Sequence, residues 1–398
     1  MPETVVVIVP AMDIGGAQET ALSVARHLPA AGWTVVAATF ADGPMRGEFE
    51  AAGVPVEILA DRRHRAVALP WFLADMVRIR RALIEVTRRH GAEVVQIQTL
   101  GTLAFVVMTL RIGGHAKVFW RVANVSFSGP VRPGVVAAAM RAVHRALYRV
   151  GARVTDGVIA VSDEVAEAFV RETGARRDRV HVVLNGVDTD RFPATADRDA
   201  VRRGLGFGPE ARLVTCVANF KEQKGHRFLV EAAARVLPAS EHVHLLLVGD
   251  GDLRPAIEAQ IAAVGLGDRV HLLGDRRDVA QILLASDAFV LPSLWEGFSV
   301  ALVEAMASAL PVIATAVSGT TQVMRDGETG WLVPPGDADA LAGAMTQMLT
   351  DPAGAPARGR AARERVVSAF SASAQADRYA ALYRGEPAVA ATEEVVRP

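Results

Sequence analysis

The chain has 398 residues, 51% of them hydrophobic and 22% charged, a usage that excludes wholesale disorder and a length that suits two domains. Its one cysteine, Cys216, excludes an intramolecular disulfide and a cysteine-cluster metal site. A formal net charge of −1 excludes a general nucleic-acid binder.

Along the first half, β-branched runs at 5–9, 35–39, 56–59, 94–97, 118–120, 158–161 and 180–184 predict strands. Helical patterns at 17–31, 73–90 and 135–150 lie between them. The second half repeats the alternation, with strands at 214–218, 243–248, 270–273, 288–291, 312–314 and 331–333. Its helices are expected at 227–237, 253–264, 279–285, 299–309, 338–349 and 357–369. Strands that are nearly continuous apolar runs, separated by helices, predict mainly parallel sheets covered on both faces. The fold class is therefore α/β, with two doubly wound Rossmann-like domains at 1–184 and 185–370. Asn185-Gly186-Val187-Asp188 marks the junction, a polar segment at 195–203 follows it, and 385–398 reads as a frayed tail. The amino terminus has no positive segment ahead of its apolar run, and the uncharged run at 94–110 is short and interrupted. The expectation is a cytoplasmic protein that touches at most a membrane surface.

The balanced charge hides an asymmetry. Residues 1–187 hold 22 Lys and Arg against 17 Asp and Glu, and 188–398 hold 21 against 27. No acidic residue occurs between Glu93 and Asp156, a stretch carrying Arg111, Lys117, Arg121, Arg132, Arg141, Arg145, Arg149 and Arg153. Such a stretch should face something anionic. Arg141, Arg145 and Arg149 recur on one helical face, with Val136, Met140, Val143 and Leu147 mainly on the other. That pattern suits either an anionic lipid surface or an ordinary solvated helix face.

Ligands of doubly wound sheets sit beyond the carboxyl ends of the strands, which directs attention to three segments. Gly15-Gly16-Ala17, after the first strand, allows close approach of a phosphate to a helix N-terminus, or is simply a tight turn. The dinucleotide fingerprint G-x-G-x-x-G is absent there. Asn219-Phe220-Lys221-Glu222-Gln223-Lys224-Gly225 follows the strand at 214–218 and holds two of the chain's three lysines. Two cations at a strand's carboxyl end suit a diphosphate. Third, Glu296 lies in a loop after the strand at 288–291, Gly297 permits entry into a helix, and Glu304 falls two turns into that helix. The amides of Phe298, Ser299 and Val300 offer an anion site flanked by acids that would accept hydroxyl hydrogen bonds, which describes a nucleotide-sugar pocket. Asp188-Thr189-Asp190 and Asp250-Gly251-Asp252 have a D-x-D form, but both read as turns. His181, His242, His244 and His271 read as structural.

The segment from Glu296 to Glu304 resembles the E-x7-E motif of retaining GT-B glycosyltransferases of the family 4 type. The likeness extends to Ala160-Val161-Ser162, Asn185-Gly186-Val187-Asp188, Leu247-Val248-Gly249-Asp250-Gly251, Pro311-Val312-Ile313-Ala314 and Asp326-Gly327-Glu328-Thr329-Gly330. The stretch at 379–383 is similar to the family's closing helix, which implies that 371–384 crosses back to the N-terminal domain. The resemblance implies a transfer that retains anomeric configuration, needs no metal or cofactor, and uses a UDP- or GDP-linked sugar as co-substrate. Glu296 would hold donor-sugar hydroxyls and Glu304 the ribose. Lys224 and Lys221 would bind the diphosphate with the 298–300 amides, Gly16 beside Gly15 would approach the phosphates, and Arg276 would lie near the base. The acceptor would be a glycan, a lipid-linked sugar or another hydroxyl compound. The sequence departs from the family where Asn219 stands for an arginine and Gln322 for a glutamate. Gln98 and Ala123, with Asn124 adjacent, occupy the places of an N-domain histidine, which makes Gln98 and Asn124 acceptor-side candidates. A silent nucleotide-sugar-binding subunit and a GT-B sugar-nucleotide epimerase are the alternative readings.

Overall fold

The computed structural model describes residues 3–13, 16–59, 69–98, 116–123, 145–146, 148–193 and 197–386. The chain divides into two compact units, Met1–Gly186 with Ala372–Pro398, and Val187–Ser371.

In the first unit the described elements run β1 (Glu3–Val9), α1 (Gly16–His27), β2 (Trp33–Thr39), α2 (Arg46–Ala51), β3 (Val56–Ile58), α3 (Leu69–Arg89), β4 (Val94–Ile97), β5 (Lys117–Val122), β6 (Gly157–Ala160), α4 (Asp163–Thr173) and β7 (Val180–Val182). The strands form one parallel sheet in the order β3-β2-β1-β4-β5-β6-β7. Every residue of β4 and β6 is buried, which is why those strands read as short, almost wholly apolar runs, with Gln96 the one polar side chain. Local chemistry sets helix ends: Ser162 accepts a hydrogen bond from the Val165 amide at 3.2 Å to start α4, and Gly174 ends it in the left-handed region. Residues 145–146 and 148–154 are helical. Gly15, Asn124, Arg141, most of the helix expected at 135–150 and all but two residues of the tail at 385–398 lie outside the described residues.

The second unit runs α5 (Arg198–Gly204), β8 (Arg212–Val217), α6 (His226–Val236), β9 (Val243–Val248), α7 (Arg254–Ala263), β10 (Val270–Gly274), α8 (Val279–Ala285), β11 (Ala288–Leu291), α9 (Val300–Ala307), β12 (Val312–Thr315), α10 (Ser318–Thr321), β13 (Trp331–Val333), α11 (Ala338–Thr350) and α12 (Gly354–Ala369). Its sheet is also parallel, in the order β10-β9-β8-β11-β12-β13. Strand order reverses between β8 and β11, so the loops after those two strands flank the switch point.

Helix α13 (Ala372–Arg384) belongs to the first unit. Tyr379 and Tyr383 are buried there, the latter with its ring 5.1 Å from Trp33 and 5.5 Å from Phe119 between centroids. The Tyr383 hydroxyl donates to Gln96 Oε1. Gln375 Oε1 accepts from the Gly186 amide at 2.9 Å, and Arg121 Nη2 donates to Asn185 Oδ1 at 2.7 Å. In the second unit Val187 bridges to Ser371, and its amide donates to the Phe370 carbonyl at 2.9 Å.

Candidate functional site

The loop after β8 is shaped by one buried aromatic and one glycine. Phe220 is fully buried, and its amide donates to the Asp250 carbonyl at 2.9 Å, which anchors the loop's start. Glu222–Lys224 make a 3-10 turn, and Gly225 then reverses the chain with φ +65 to open α6. A Cβ on Gly225 would lie 2.1 Å from the Pro292 carbonyl oxygen. Only glycine permits both the left-handed backbone and this approach of the first loop to the second.

The loop after β11 is fixed from several sides. The Leu294 amide donates to the Gln223 carbonyl at 2.7 Å, and Gln223 Nε2 donates to the Trp295 carbonyl at 2.9 Å. Thr315 Oγ1 donates to the Ser293 carbonyl. The Gly319 amide donates to the Glu296 carbonyl at 3.1 Å, and a Cβ on Gly319 would meet the Gly297 carbonyl carbon at 2.7 Å. Ser299 caps α9 by accepting from the Leu302 amide at 3.3 Å. Gly297 is not among the residues with positive φ, and the close approach of its backbone is what requires glycine at 319.

These two loops place Lys224 Nζ against Glu296 Oε1. Glu296 is 4% exposed, and the fully buried Ser293 donates from Oγ to the same Oε1 at 2.9 Å. One carboxylate oxygen thus receives an ammonium and a hydroxyl. Among the described residues no donor is bonded to Oε2. A buried charge is tolerated when it is paired and hydrogen-bonded, and here the pairing leaves one acceptor position for a ligand.

The other candidates are distributed around this pair. Asn219 and Lys221 lie in the first loop and are exposed; Phe298 lies in the second and Val300 opens α9. Glu304 on α9 is 9% exposed, and its Oε1 lies 3.5 Å from Arg191 Nη1. Arg276 lies just after the edge strand β10, where its Nε and Nη2 donate to Asp278 at 2.8 and 2.6 Å. That contact raises the arginine pKa and holds Asp278 below the usual carboxylate range. In the first unit, Gly16 opens α1, and Gln98 follows β4 at 1% exposure with Oε1 unbonded among the described residues.

Both D-x-D segments are turns. Asp188 Oδ1 accepts from the Asp190 amide at 3.2 Å; Asp250 accepts from the Gly251 amide at 2.7 Å and pairs with Arg254. Among the described residues no group of three or more His, Cys, Asp or Glu could hold a metal ion. His244 and His271 pair with each other, Nδ1 to Nε2 at 3.2 Å, against the Phe207 ring.

Sequence reasoning missed three residues. Ser293 and Gln223 carry no local signal, because their partners in the other loop or three positions on are set by the fold. His226, beside Lys224 and Gly225, is 2% exposed with neither ring nitrogen bonded, and its ring stands edge-on to Phe220 at 4.8 Å. Burial, and then the Lys224 charge, push its pKa down to about 4. Burial also pushes the Cys216 thiol up to about 12, which leaves it unreactive.

The family model described as glycosyltransferase family 4 matches residues 14–191, and the one described as glycosyl transferases group 1 matches 211–351. An Escherichia coli UDP-Gal:alpha-D-GlcNAc-diphosphoundecaprenol alpha-1,3-galactosyltransferase is 28% identical over 309 residues, covering 76% of this chain and 78% of that one. The lipopolysaccharide core biosynthesis glycosyltransferase LpsE of Rhizobium meliloti is 32% identical over 59% of this chain and 66% of its own. Alignments to the curated relatives span from 46% to 78% of those proteins' lengths. Among solved structures, Anabaena HepE in complex with UDP-glucose superposes with a TM-score of 0.78 at 22% identity, over 96% of this chain and 99% of that one. Sucrose-phosphate synthase from Thermosynechococcus elongatus gives 0.78 at 25% identity, over 96% of this chain and 98% of that one.

Proposed function

Since the chain belongs to the GT-B glycosyltransferases, we propose that it moves a sugar from a nucleotide-diphosphate donor to a hydroxyl acceptor with retention of anomeric configuration. The observation that carries this reading is the Lys224–Glu296–Ser293 cluster at the switch point of the second unit. Glu296 Oε2 accepts hydrogen bonds from donor-sugar hydroxyls. Lys224, with Lys221, meets the diphosphate, and the 298–300 amides at the start of α9 add donors. Glu304 holds the ribose and Arg276 lies beside the base.

In the reaction, the bond from the anomeric carbon to the diphosphate oxygen breaks as a bond to the acceptor oxygen forms on the same face. The departing diphosphate takes the acceptor's proton, so no enzymic nucleophile is used. Charge accumulates on that diphosphate, and preorganised cations and amides stabilise it more in the transition state than in the ground state. On this reading these groups supply what a metal supplies elsewhere, and the reaction is metal-independent.

A thermal-shift panel of UDP-, GDP- and ADP-sugars identifies the donor, because a ligand of the folded state raises its apparent stability. Glu296→Ala should abolish transfer while nucleotide binding survives. Unchanged turnover refutes the assignment. UDP or GDP binding with neither hydrolysis nor transfer would instead identify a silent subunit, and conversion of the donor without an acceptor an epimerase.

Among the described residues no helix is long and apolar enough to cross a membrane. Arg145, Arg149 and Arg153 are exposed, and we assign to this basic stretch an anionic membrane surface that presents a lipid-linked acceptor.

A further inference from the structure

We infer that the exposed indole of Trp295 is a stacking platform for the pyranose ring of a substrate. The inference rests on the glycosyl-transfer reading and adds to it a site for the apolar face of the sugar. Trp295 is 47% exposed, whereas Trp33, Trp120 and Trp331 are 2%, 1% and 6% exposed. An indole offers a large apolar area with one polar edge, and leaving about half of it in water forgoes a corresponding share of its burial energy.

The exposure does not come from a slack backbone. Gln223 grips both sides of the residue, through its carbonyl to the Leu294 amide at 2.7 Å and through Nε2 to the Trp295 carbonyl at 2.9 Å. Ser293 is held by Thr315 and Glu296 by Gly319 on either side. The ring is therefore presented to solvent by a loop hydrogen-bonded at four consecutive residues. Such fixed aromatic surfaces contribute contact area at low cost in conformational entropy.

The neighbour decides which ring it takes. Glu296 adjoins Trp295, and its Oε2 has no bonded donor among the described residues. A pyranose has a face of C–H bonds and a rim of hydroxyls. It satisfies a ring and a carboxylate on adjacent residues, stacking on the first and donating to the second. A nucleobase also stacks on indole, but it brings no comparable rim of hydroxyl donors. The sugar can come from the donor or from a glycosyl acceptor, and the two are separable.

The test uses the full chain with 15N-labelled indoles, the Trp295 signal being assigned with Trp295→Phe. Probes are UDP, GDP, UDP-glucose and GDP-mannose, and then methyl glucopyranoside and methyl N-acetylglucosaminide in saturating UDP. The Trp295 indole resonance should move with a sugar-bearing probe and stay in place with UDP or GDP. Movement with a nucleotide sugar places the donor sugar on the ring, and movement with a methyl glycoside over UDP places the acceptor there. Trp295→Ala should weaken that same probe about tenfold, while Trp295→Phe, which keeps a ring, retains most of the affinity. The inference is overturned if nucleotide sugars stabilise the protein yet no sugar probe moves the signal. It is overturned equally if UDP or GDP moves it as far as their sugars do. Absence of stabilisation by every nucleotide sugar would take down the glycosyl-transfer reading, and this inference with it.

Discussion

His226 should make the second unit sensitive to mild acid. The imidazole is packed against Phe220 at the first position of α6, with neither nitrogen bonded and the Lys224 charge nearby. Each of these surroundings, with the positive end of the helix dipole, opposes a proton. The folded-state pKa is about 4 against 6.5 for an ordinary imidazole. Each tenfold step in proton affinity is worth about 1.4 kcal/mol, so the full difference amounts to about 3 kcal/mol. The folded pKa is depressed, so the unfolded chain binds the proton more tightly. This share of stability is complete above pH 6.5, shrinks as pH falls toward about 4, and declines no further below that. By pH 5 about 2 kcal/mol should be gone, a large part of the ~5–15 kcal/mol typical of a domain. Urea unfolding of wild type and His226→Phe between pH 7.5 and 4.5 gives the measurement, the variant keeping a ring against Phe220 with nothing to titrate. The difference in unfolding free energy should grow by about 1.4 kcal/mol per pH unit below 6.5. A difference that stays flat, or an imidazole that titrates near 6.5 by NMR, refutes the reasoning.

Ser293→Ala removes one of the two donors on Glu296 Oε1 and leaves the carboxylate held by Lys224. A hydrogen bond to a charged group is worth about 1.5–3 kcal/mol, so kcat should fall about tenfold to a hundredfold while UDP affinity, read by calorimetry, changes little; an unchanged kcat counts against Ser293 as a positioning residue. Gly225→Ala imposes a side chain at φ +65 and 2.1 Å from the Pro292 carbonyl oxygen. It should cost about 2 kcal/mol or more in urea unfolding and should weaken UDP binding by separating the two loops.

Much of the fold could be read because parallel strands buried on both faces announce themselves. The expected runs at 94–97, 243–248, 288–291 and 331–333 coincide with β4, β9, β11 and β13. Helix α5 did not show, because Arg198–Gly204 is polar on most positions and owes its stability to Arg202, which donates to the Ala285 carbonyl and pairs with Asp287. Helix α4 was passed over between two strands, although Ser162 at its start and Gly174 at its end are strong local marks. At the candidate site, Lys224 and Glu296 stood out by residue type and by position after strands. Their contact spans 72 positions and depends on β8 and β11 being neighbours, which local spacing does not encode. Gln223 is an ordinary residue in sequence and gains its role from that adjacency, whereas Ser293 and His226 act on near neighbours, Glu296 and Phe220, in the folded loops.

Helix α13 gives the two units different histories during synthesis. Val187–Ser371 is one uninterrupted stretch, so everything in its core has left the ribosome once residue 371 has. The first unit is started earlier and finished later. Its sheet emerges first, yet the core beside Trp33 and Phe119 stays open until Tyr379 and Tyr383 have been made. Domains ordinarily complete from the amino terminus onward. Here the later-encoded unit can close first, and a chain stopped short of residue 372 would carry a finished second unit joined to a first unit missing part of its core.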